Sequence, residues 1–69
     1  RSLEQEQIDH LYASGLMYYN KSQWQEAINE WEKILEIDKR YDPAIKGIKS
    51  AKTQLDIYND VYENMFLSL

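Results

Sequence analysis

Acid–base or metal chemistry needs carboxylates, imidazoles or thiols brought together, and this sequence offers few such groups. Asp9-His10 places a carboxylate directly beside the single imidazole. Neighbouring residues on a helix point about 100° apart, so these two cannot form a dyad with each other. His10 flanks an apolar stripe and reads as an exposed helix residue. Glu26, Glu30, Glu32 and Glu36 recur as the solvated face of a helix. Asp56, Asp60 and Glu63 have the composition of a calcium loop but neither its Gly nor its spacing. There is no Cys, no phosphate-binding loop and no nucleophile beside a base. The sequence therefore predicts a non-enzymatic protein with no catalytic, metal or cofactor site.

What remains is recognition, and the charge pattern bears on it. The net charge of −4 is unevenly spread. Residues 1–38 carry eight acids against Arg1, Lys21 and Lys33, giving −5. Residues 39–52 carry Lys39, Arg40, Lys46, Lys49 and Lys52 against Asp42, giving +4, and residues 53–69 return to −3. A basic island on an acidic chain can attract an acidic segment of a partner; the simpler alternative is the wet face of a helix. A pI near 4.8 has the wrong sign for a phosphate-binding footprint, so nucleic acid is not an expected partner.

The elements that must position these groups are helices. With 43% hydrophobic residues, two Gly and one Pro in 69 residues, the chain has too few turn formers for a sheet. Ser2 and Gln5 form a capping-box pair that opens a first helix over about 3–20. Its stripe of Ile8, Leu11, Tyr12, Gly15, Tyr18 and Tyr19 follows the 3.6-residue period. Asn20–Gln23 is the turn. Ser22 and Gln25 repeat the capping-box signal and predict a second helix to about Asp38, burying Trp24, Ala27, Ile28, Trp31, Ile34 and Leu35. Lys39 and Arg40 would then complement its C-terminal dipole. Asp42 as N-cap and Pro43 at the first helical position open a third helix. Ile48, Ala51, Leu55, Tyr58, Tyr62, Met65 and Leu69 form an unbroken heptad seam, so residues 43–68 read as one long helix, with a break at Asn59-Asp60 as the alternative.

Residues 11–35 resemble one tetratricopeptide repeat. Leu11, Ser14, Gly15 and Tyr18 stand where that family has Trp-x2-Leu-Gly-x2-Tyr, and Ala27 with Trp31 matches its later Ala-x3-Phe. The likeness covers about 8–42 well and 43–56 loosely. It departs where Lys39 replaces a Pro, Ile34 a frequent Ala, and Ser14 an apolar residue. The resemblance implies an all-α fold: a single domain over 1–69, with an antiparallel hairpin (repeat about 8–41) and a third, long helix, as a fragment of a right-handed superhelix. It also implies a protein-binding scaffold whose first helices line a concave groove. Carried over by position, that face comprises Tyr12, Leu16, Tyr19 and Asn20, with Lys46, Lys49, Ser50 and Thr53 from the third helix. The competing reading is that Tyr12 and Tyr19 only cover the core or a neighbouring repeat.

One repeat is fewer than the three or so that usually make a stable array, so the module is expected to lean on further repeats, a partner or a second copy. The hairpin can cover the third helix only to about Leu55. The last dozen residues would project about 18 Å beyond it. Leu55, Tyr58, Val61, Tyr62, Met65, Phe66 and Leu69 are thus the candidate self-association surface. No apolar run is long enough to span a membrane, and a tail with Asp60 and Glu63 but no Lys or Arg does not suit an anionic lipid surface. Beginning on Arg1 rather than Met, the chain is expected to be a segment of something longer, and it names no compartment.

Overall fold

A computed structural model describes residues 2–67, with side chains described through residue 65. The protein is all-α, with α1 over Leu3–Asn20, α2 over Trp24–Ile37 and α3 over Asp42–Leu67. Each of α1 and α3 packs on α2, so the middle helix is the shared support.

Local chemistry explains the boundaries, with departures from expectation at Ser22, at Lys39-Arg40 and at Asp42, which is helical rather than the N-cap. Ser2 caps α1: its Oγ accepts from the Gln5 backbone N–H at 3.1 Å. The Gln5 side-chain amide donates to Asp9 Oδ1 at 3.0 Å, one turn on. At the other end of α1, Ser22 is not the cap of the next helix. It adopts a positive φ of 62°, donates its N–H to Tyr19 O at 3.0 Å, and Gln23 N–H reaches back to Tyr18 O at 2.9 Å. Those bonds are a Schellman closure of α1 with Ser in the left-handed position usually held by Gly. The backbone cap of α2 is Gln23, whose side chain makes no capping bond, and Gln25 bonds Asn29 at 3.1 Å.

Asp38 ends α2, and its carboxylate accepts from the Arg40 N–H at 3.1 Å in the tight turn that follows. Lys39 and Arg40 lie in that turn, past the helix. Asp42 is already helical, and its carboxylate faces Lys46 at 3.0 Å, one turn on. Pro43 stays harmless within the first turn. From there α3 runs without a break through Asn59-Asp60 to Leu67. The expected end at Ser68 lies outside the described residues.

Trp31 organises the core. Its side chain and that of Ile34 are fully buried, among Ile8, Ala27, Ile28, Ala44, Ile48 and Ala51. Gly15 of α1 and Gly47 of α3 both face the Trp31 indole. A Cβ on Gly15 would stand 2.6 Å from ring atom Cδ1, and one on Gly47 would stand 2.8 Å from Cζ3. The two glycines are therefore the recesses in α1 and α3 that admit a Trp from α2. Ala27, Ala44 and Ala51 are buried completely, which lets the helix axes come close. A tryptophan packed this way contributes roughly 3–5 kcal/mol by the cost of its truncation.

Candidate partner-binding groove

Because α1 and α3 flank α2, a channel opens between them with α2 as its floor. Tyr12, Leu16 and Tyr19 of α1 form one wall; Asp42, Pro43, Lys46, Gly47 and Ser50 of α3 form the other, with Trp31 beneath. The open volume is about 470 Å³, within the range typical of ligand clefts.

The aromatic groups hold one another in place. Tyr12 and Tyr19 lean on Trp31 with ring centroids at 6.1 and 5.9 Å. Tyr19 also meets Trp24 edge-on at 4.9 Å, and Tyr12 meets Tyr41 edge-on at 6.4 Å. Such tilted and edge-on pairs suit the ring quadrupoles and limit rotamer freedom. The Trp31 indole N–H donates to the Tyr12 carbonyl at 3.3 Å, leaving its buried polar atom satisfied. Across the channel the Tyr19 hydroxyl and Ser50 Oγ stand 2.7 Å apart. This hydrogen bond ties the two walls together at one end of the channel.

Electrostatics at the mouth is set by Lys46 and Asp42. Their ion pair is well exposed on both sides, and such pairs contribute little, at most about 1 kcal/mol. An incoming carboxylate can therefore compete with Asp42 for the ammonium. Lys33, whose pKa is raised by its hydrogen bond to Glu30 at 2.9 Å and by that carboxylate's charge, sits on α2 and lines no part of the channel.

Five of the eight positions expected to line a groove do so together: Tyr12, Leu16, Tyr19, Lys46 and Ser50. Asn20, Lys49 and Thr53 are exposed but do not line it. The Thr53 hydroxyl donates to the Lys49 carbonyl of its own helix at 3.0 Å. Asp42 and Pro43, which the sequence marks as helix-start signals, also form part of the wall. The i, i+4 spacing of Asp42 and Lys46 is the signal that places both on one face.

The proposed self-association residues divide. Leu55 is half-buried against the core of its own chain, so it belongs to the intramolecular contact rather than to a free surface. Tyr58, Val61, Tyr62 and Met65 are all more than half exposed, and Ile57 joins them. The side chain of Phe66 and all of Leu69 lie outside the described residues. Of the repeat-motif residues, Gly15, Ala27 and Trp31 are buried together, Leu11 and Tyr18 pack against the core edge, and Ser14 is half-buried.

No family model matches the sequence, and no solved structure matches it. Two UPF0164 proteins of Treponema pallidum (strain Nichols) are similar to it. One is 36% identical over 56 residues, covering 81% of this chain and 12% of the relative. The other is 36% identical over 51 residues, covering 74% of this chain and again 12% of the relative. The chain thus spans about an eighth of the length of these curated relatives. Their name states no ligand or activity.

Proposed function

We propose that this chain is a non-enzymatic, tetratricopeptide-like interaction module that holds an extended acidic segment of a partner protein between α1 and α3. The observation that supports this reading is the channel itself. Its walls are built from side chains at the positions where that repeat family contacts ligands, with stiff aromatic area on α1 and a cation on α3. Tyr12 and Tyr19 offer contact surface at low entropic cost, and their hydroxyls can bond a peptide backbone. Lys46 supplies the charge that selects a carboxylate.

A screen of short extended peptides bearing Asp and Glu, read by titration calorimetry, tests the proposal. Binding should weaken at least about tenfold, or about 1.4 kcal/mol, in Tyr19→Ala and in Lys46→Glu. It should also fall as salt screens the Lys46 charge. Peptides that bind both variants as tightly as the parent chain would move the site off this channel.

A further inference from the structure

The segment of α3 beyond Leu55 has an unusual division of faces. At about 100° per residue, Ile57, Tyr58, Val61, Tyr62 and Met65 fall within an arc of about 140°. Asp56, Asp60 and Glu63 fall on the opposite side of the same helix. The Tyr58, Tyr62 and Met65 side of this arc continues the seam that Ile48, Ala51 and Leu55 use against the core, but α2 starts at Trp24 and reaches no further along α3. Where the cover stops, an apolar cleft of about 430 Å³ opens, lined by Ser22, Trp24, Gln54, Ile57, Tyr58 and Val61. Tyr58 and Tyr62 lie one turn apart with ring centroids at 6.3 Å and planes 16° from parallel, so the two rings support each other on this side of the helix.

We infer that this surface is an interface between two copies of the chain. The two α3 segments cross antiparallel near Val61 and Tyr62, and Met65 of each copy enters the Trp24–Tyr58 cleft of the other. Three observations choose a second copy as the occupant. A two-fold axis at Val61–Tyr62 brings residue 65 opposite residue 58, so the arc and the cleft become complementary halves of one closed contact. The acids lie outside the arc, so pairing buries no like charges. The thioether of a Met is suited to the edge of the aromatic rings it would meet. The five side chains are each more than half exposed in one chain, so covering them and the Trp24 rim completely on both copies removes at most on the order of 1,200 Å², the lower end of specific interfaces.

Sedimentation equilibrium at micromolar concentration should give a mass near twice 8.3 kDa. Tyr62→Asp and Met65→Asp should each return the monomer mass with the helical circular dichroism signal unchanged, since both side chains are mostly exposed within one chain. The sequence has no cysteine, so Val61→Cys introduces a unique thiol beside the axis. It should form an inter-chain disulfide on mild oxidation, whereas Glu32→Cys on the exposed face of α2 should not. A monomer at every concentration overturns the inference. So does a dimer that survives both Asp variants, or one that cross-links as readily through Glu32→Cys as through Val61→Cys.

Discussion

Three residues carry predictions that their local surroundings decide. Gly15 sits mid-helix, where replacement by Ala ordinarily adds about 0.5–1 kcal/mol of stability. Here the new methyl would overlap a rigid indole held by α2, so Gly15→Ala should instead lower the melting temperature. Gly15→Leu should cost more, in the range of about 1–3 kcal/mol or above. Ser22 shows the reverse case. Its left-handed backbone costs a non-glycine residue about 1–2 kcal/mol, partly offset by the chain entropy that Gly would add. Ser22→Gly should therefore stabilise by about 0.5–1 kcal/mol in a thermal or urea melt. Asp42→Asn removes the carboxylate that faces Lys46, and under the proposed function it should tighten binding of an acidic peptide a few-fold in calorimetry. The repeat spacing pointed to Gly15, Ala27 and Trp31 as a packed set. What it could not show is that Trp31, rather than the backbone of α2, fills the recess at Gly15, because the direction of a side chain depends on the helix crossing.

The helices themselves were largely legible. The stripe from Ile8 to Tyr19 and that from Trp24 to Leu35 each carry period 3.6, and both elements form within a residue or two of where that period places them. The unbroken seam from Ile48 to Met65 likewise marked α3 as one helix. Capping was harder to read. The Ser-x-x-Gln pattern occurs at both Ser2 and Ser22, yet only Ser2 caps, because the bonds from the Ser22 and Gln23 N–H groups to the Tyr19 and Tyr18 carbonyls go with a left-handed Ser22 backbone rather than the extended one a cap needs. Competition of this kind between the end of one helix and the start of the next is invisible to a four-residue pattern. Packing along α3 is graded: Ala44, Ile48 and Ala51 are buried, while residues 56–65 are exposed. In a chain made monomeric by Tyr62→Asp, amide hydrogens past Leu55 should therefore exchange much faster than those of 44–55. Equal protection along the whole helix would mean that something else covers its second half.

For the molecule as a whole, the channel was legible in part. Positional resemblance found five of its lining residues, but the Asp42 wall depends on how far α3 leans over α2, which no periodicity encodes. The basic island behaves likewise: of Lys46, Lys49 and Lys52, only Lys46 reaches the channel. Raising salt should accordingly weaken peptide binding with a shallow slope, about that of a single charge contact, rather than the steep slope of a basic patch. One feature of the architecture also governs how the protein forms. Helix order along the chain is helix order in space, with α2 between its sequence neighbours, so nearly all stabilising contacts close short loops. Chains of such low contact order fold in microseconds to milliseconds. The hydrogen bond between Tyr19 and Ser50 is different, since it joins residues 31 apart and needs both hairpins already in place. The channel is therefore complete only when both outer helices are docked on α2, and lifting either one away opens it.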